Sequence, residues 1–98
     1  MYFVELSRQA MKDRKLLKAA GLEEKVKTLL NIIASDPFQY SPPYEILSRN
    51  LRGNISRRIN IQHRLVYDVI ENAENLLSPD GTPYEGIIRV KRMWTHYE

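Results

Sequence analysis

Apolar and polar positions alternate in two distinct ways along this chain, and the change of period divides it. Residues 1–6, Met-Tyr-Phe-Val-Glu-Leu, are rich in β-formers and predict a first strand. Ser7 then suits a helix N-cap and Gly21 a helix stop, which predicts a first helix to about Ala20 with only weak periodicity. In the next segment Leu22, Val26, Leu29, Leu30 and Ile33 recur at helical spacing and form one apolar stripe. Ser35-Asp36-Pro37 closes that helix, because the residue before a proline avoids the helical conformation.

Beyond a Pro- and Tyr-containing loop at 38–44 the period drops to two, and β signals begin at Glu45. The runs 54–60 and 63–70 are separated by a short turn around Ile61-Gln62. In the second run His63, Leu65, Tyr67 and Val69 share one face, with Arg64, Val66, Asp68 and Ile70 on the other. Residues 78–83, Ser-Pro-Asp-Gly-Thr-Pro, are dense in turn formers, with an Asp80-Gly81 hairpin signal. In the last strand Ile88, Val90, Trp94 and His96 alternate with Arg89, Lys91, Met93 and Tyr97. The fold class expected is α+β in the order β-α-α-β-β-β, with two N-terminal helices packed on a mostly antiparallel sheet. At 98 residues without a linker or repeat, residues 1–98 read as a single domain.

Composition adds exclusions. No cysteine is present, so disulfides and thiolate metal sites are ruled out, and two histidines make a poor structural metal site. No apolar run approaches the roughly 20 residues of a membrane span, and residues 1–15 lack a signal-peptide layout. A cytoplasmic protein needing no metal or cofactor is the expectation.

Charge changes the picture more. The net charge is +3. Arg49, Arg52, Arg57, Arg58 and Arg64 fall in a 49–64 stretch that has neither lysine nor acid. Residues 65–88 carry only acidic charges, and Arg89, Lys91 and Arg92 then restore the positive sign. Two basic segments around an acidic one could fold into a single basic face. Arginine pairs with phosphate bidentately and stacks on bases, and Tyr40, Tyr44, Tyr67, Tyr97 and Trp94 lie nearby in sequence. Basic and aromatic groups together suit single-stranded nucleic acid. The helices are mixed in sign, so a basic recognition helix for duplex DNA is missing.

The segment 50–67, Asn-Leu-Arg-Gly-Asn-Ile-Ser-Arg-Arg-Ile-Asn-Ile-Gln-His-Arg-Leu-Val-Tyr, together with the near-terminal Thr-His-Tyr, resembles the YoeB/Txe toxins of the RelE superfamily. The resemblance implies a RelE-like domain and a ribosome-dependent mRNA endonuclease, the toxin of a toxin–antitoxin module that inhibits translation. It implies mRNA in the ribosomal A site and ribosomal RNA as partners. It further implies a cognate acidic antitoxin of YefM/Phd type, with a homodimer or toxin–antitoxin hetero-oligomer as assembly. Residue by residue, it makes Glu45 the general base, His96 the general acid, Arg64 the stabiliser of phosphorane charge and Tyr97 the residue that orients the scissile nucleotide. Arg49, Arg57 and Arg58 are the expected RNA-binding residues. No metal enters that chemistry.

Taken from the residues alone, Glu45 is a surface carboxylate at a strand start and His96 a chain-end histidine. His63 reads as a packed strand histidine, and Tyr67 and Trp94 read as core. The alternative function is a catalytically inactive RelE-fold protein that binds its antitoxin and acts in operon autoregulation. Two departures from the family pattern stand out: the long turn 72–86, expected to protrude toward ribosome or antitoxin, and Glu98 after the His-Tyr pair.

Overall fold

The computed structural model describes residues 1–48 and 53–94. Its elements are β1 (Phe3–Leu6), α1 (Arg8–Ala19), α2 (Glu23–Ser35), β2 (Tyr44–Ile46), β3 (Ile55–Arg58), β4 (Arg64–Ile70) and β5 (Ile87–Arg92). They form one sheet in the order β1-β5-β4-β3-β2, with both helices on one face. Only the β1–β5 pair is parallel. The expected α+β architecture is present, extended by the three-residue β2 at the sheet edge, where a proline-rich loop meets Glu45.

Local chemistry accounts for the helix ends. Ser7 is extended (φ −65°, ψ 166°), and its hydroxyl accepts from the Ala10 N–H at 2.9 Å, satisfying one orphan donor of α1. Gly21, at φ +79°, takes the left-handed turn that ends α1. From the α2 stripe Val26, Leu29 and Ile33 are buried, while Leu22 and Leu30 pack beside them. These side chains meet Ile55, Leu65, Tyr67, Ile88 and Val90 from the covered face of the sheet.

The C-terminal strand departs from simple alternation. Tyr67 pairs with Val90, yet its neighbour Val66 pairs with Arg92, so Lys91 is the extra residue of a bulge. The bulge carries Arg92 to the open face and turns Met93 inward, where it is fully buried in the core. The alternation that set Met93 beside Lys91 is therefore corrected. Trp94 stacks on buried His63 with ring centroids 4.0 Å apart, and Tyr67 is fully buried, in keeping with the packing roles expected of all three.

Asp13 holds this strand end from the other layer. It lies on α1, is 2% exposed, and accepts from the backbone N–H of Met93 (2.9 Å) and Trp94 (3.3 Å) and from the Gln9 amide (2.8 Å). Nothing in the sequence pattern marked it. Asp13→Ala would strand two main-chain donors and is expected to cost about 3 kcal/mol. Denaturant unfolding checks this; a variant as stable as the parent would remove the anchor role.

The 72–86 connection is mostly exposed. The Asn72 side chain braces it by donating to the Leu76 and Tyr84 carbonyls (3.0 and 3.1 Å), and Gly81 turns it at φ +87°. Tyr84 meets Phe3 edge-on at 5.4 Å, which ties the connection to β1.

Candidate functional site

Register builds the site. Glu45 pairs with Ser56, Ser56 with Val66, and Val66 with Arg92, giving one row across four strands on the face without helices. Arg64 opens β4 at the end of this face, opposite Arg58. Its guanidinium Nη1 lies 2.8 Å from Glu45 Oε1 and donates to Ser56 Oγ at 3.1 Å. Glu45 (66% exposed side chain) thus stands in solvent, while Arg64 (22%) is largely enclosed and held from two sides. Sequence reasoning missed Ser56 as the second holder of Arg64. Its signal was its place in the Ser-Arg-Arg triplet, two residues before the strand partner of Arg64.

Glu45, Arg58 and Arg64 line one cleft of about 640 Å³, together with Tyr40, Tyr44 and Asn60. Like charges directly opposite on neighbouring strands repel. Glu45 offsets Arg64, whereas no acidic side chain among the described residues bonds to the exposed Arg58. The cleft therefore presents a carboxylate beside a surplus of fork-shaped cations, an arrangement suited to a phosphodiester.

Arg57 requires a correction. It was expected to bind RNA, but it is fully buried, because β3 turns it toward the helix side. Its five donors fit a set of internal acceptors. Nε donates to the Tyr67 hydroxyl (2.8 Å), Nη1 to the Pro42 carbonyl (2.5 Å), and Nη2 to the carbonyls of Pro37 (3.0 Å) and Gln39 (2.6 Å). Tyr67 in turn donates to Pro37 O at 2.7 Å. Burial pushes the Tyr67 phenol above its usual range, against the opposing pull of Arg57, so it stays a neutral donor. Arg57 ties the 37–42 loop to the sheet and cannot reach a phosphate outside.

The expected single basic face is also corrected. Asp68 sits among the returning cations and accepts from Arg89 Nε (2.9 Å) and Nη2 (2.5 Å), with Lys91 at 3.6 Å. The Arg89 hydrogen bonds hold its carboxyl below the usual range, with help from Lys91 and against its partial burial. The acidic segment thus neutralises part of the C-terminal cation group, and in the cleft the cation without an acidic partner among the described residues is Arg58.

Arg49, His96 and Tyr97 lie outside the described residues. Among the described residues, no group of three or more acidic or histidine side chains could hold a metal ion. No helix there is long and apolar enough to cross a membrane.

Residues 6–79 match the model of a family described as YoeB-like toxins of bacterial type II toxin–antitoxin systems. The chain is 46% identical over 59 residues to toxin YoeB of Synechocystis, an alignment covering 60% of this chain and 62% of that relative's length. A YoeB/ParE toxin from Agrobacterium tumefaciens superposes with a TM-score of 0.74 at 23% identity, covering 97% of this chain and 99% of the other; that likeness concerns the fold. The YoeB–YefM toxin–antitoxin heterotetramer from Staphylococcus aureus contains a chain with a TM-score of 0.67, 27% identity and 99% coverage of both.

Proposed function

This chain belongs to the family of YoeB-like toxins of bacterial type II toxin–antitoxin systems, and from that premise we propose that it is a ribosome-dependent mRNA endonuclease kept in check by an acidic antitoxin of YefM type. The observation that carries the reading is the 2.8 Å contact between Glu45 and Arg64 in a cleft that Arg58 also lines. Cleavage of RNA without metal requires three things. A base removes the 2′-hydroxyl proton, cations stabilise the pentacoordinate phosphorane, and an acid protonates the leaving 5′-oxygen.

In this reading Glu45 is the base. Arg64, which meets Glu45 and Ser56, stabilises negative charge on a nonbridging oxygen, and Arg58 holds a neighbouring phosphate. His96 supplies the leaving-group proton and Tyr97 orients the nucleotide. Both follow Met93 and Trp94, whose main chain Asp13 fixes. Products carry a 2′,3′-cyclic phosphate and a 5′-hydroxyl. In this reading the ribosome supplies substrate alignment. An antitoxin segment of opposite charge would cover Arg58 and Arg64, and its hold should weaken with salt where the contacts are exposed.

Arg64→Lys tests the proposal. It keeps the charge but loses the planar fork that can pair bidentately with phosphoryl oxygens, and a roughly 10²-fold loss in cleavage rate is expected. The measurement is cleavage of mRNA programmed on ribosomes, with end-group analysis of the products. A lysine variant at the parental rate would reduce Arg64 to a general surface charge. A parent protein that leaves both mRNA and host growth intact would favour the inactive, antitoxin-binding alternative.

A further inference from the structure

Tyr40 does not enter the chemistry above, yet it is the most exposed aromatic ring of the cleft, at 66%. Its surroundings are ordered around it. The Gln39 carbonyl accepts from Arg57 at 2.6 Å, and the Gln39 side-chain amide donates to the Ser41 carbonyl at 2.7 Å, so main chain on both sides of Tyr40 is tethered. Its ring meets Tyr44 at 5.6 Å with an interplanar angle of 66°. Tyr44 is itself backed by the Arg57 guanidinium, 4.8 Å from its ring centroid. A buried cation, a half-buried ring and an exposed ring thus run outward in series from the core to the cleft.

An edge-to-face contact occupies one edge or one face of a ring, so Tyr40 keeps a broad face free. Tyr40 lines the same cleft as Arg58 and Arg64, which are register partners on adjacent strands. An exposed aromatic ring in one cleft with two arginines matches one repeating unit of single-stranded RNA, with the base on the ring and its phosphate on the arginines. We propose that Tyr40, backed by Tyr44 and Arg57, is a base-stacking platform that binds the nucleobase next to the phosphate held at Arg64. The inference rests on the RNA-cleavage reading for its ligand, and on the ring geometry for its place. Stacking tolerates any base, so the platform contributes affinity rather than a sequence code. Because Arg57 preorganises it, little ordering is left to be done on binding.

The test uses a hexaribonucleotide with 2-aminopurine at its centre and 2′-methoxy groups throughout, which cannot be cut through a 2′-hydroxyl. Stacking on Tyr40 should quench the 2-aminopurine fluorescence. Tyr40→Leu keeps an apolar cover on Tyr44 but removes the π face, and together with Tyr40→Ala it is expected to raise the Kd about tenfold or more. Tyr40→Phe should restore the binding. In ribosome-programmed cleavage the Leu variant should raise KM with kcat nearly unchanged, a split that a purely structural residue would not produce. Parental quenching in Tyr40→Leu overturns the platform, even if a protein partner then proves to use the exposed ring. Absence of quenching with the parent protein up to about millimolar RNA also overturns it. A parent that quenches but leaves ribosome-bound mRNA intact supports the platform and sinks the nuclease reading, so the two failures are separable.

Discussion

Glu45→Ala is expected to lower single-turnover cleavage of ribosome-bound mRNA by about 10²–10⁴-fold, the usual contribution of a positioned base. The variant isolates that contribution well. Glu45 lies on a short edge strand and is largely exposed, so its removal leaves the core untouched. Arg64 would keep its hydrogen bond to Ser56, and the cationic half of the cleft would survive. His96→Ala, the proposed acid, is expected to lose a comparable factor, and the double variant less than the product of the two, because groups acting in one step are not additive. The remaining products should still carry cyclic-phosphate and 5′-hydroxyl ends. Full activity in both single variants would defeat the acid–base assignment.

The largest stability effect is expected at Arg57. Arg57→Ala removes a fully buried guanidinium and leaves the carbonyls of Pro37, Gln39 and Pro42 and the Tyr67 hydroxyl short of a donor. A cost of about 3–5 kcal/mol is expected, a large share of the roughly 5–15 kcal/mol that holds a typical domain. Arg57→Lys should recover only part, since one ammonium cannot span acceptors arranged for a planar fork. The exposed Arg58→Ala should change stability by less than about 0.5 kcal/mol while weakening RNA binding. Equilibrium urea unfolding of the three variants at one protein concentration makes the comparison. An Arg57→Ala protein as stable as Arg58→Ala would mean that the 37–42 loop is held by other contacts.

This contrast between neighbours shows what a linear reading could reach. The α2 stripe was legible because helical burial repeats along the chain, and Val26, Leu29 and Ile33 are buried where the spacing put them. Ser7 and Gly21 were legible because caps and left-handed turns are local chemistry. The motif that carries the family resemblance sits in contiguous segments, and residues 6–79 match the family. Glu45 and Arg64 could be paired by that resemblance, while no local rule would have joined a loop-end glutamate to an arginine 19 residues on.

The fates of the arginines were different, since adjacent strand positions point to opposite sides and sequence does not say which side is covered. Which of Arg57 and Arg58 enters the core depends on where the helices dock and on acceptors 15 to 20 residues earlier in the chain. The bulge at Lys91 likewise escapes a period-two reading, because one unpaired residue exchanges the faces of everything after it and buries Met93. Asp13 meets its partners about 80 residues away, where only the packing of α1 against β5 brings a carboxylate under two main-chain donors. By itself, then, the sequence determined the helices, the strands, the family and the supply of cations, all of which are local or motif properties. Tertiary structure alone decided which cations face the open cleft and which hold the protein together, because burial is settled by long-range packing.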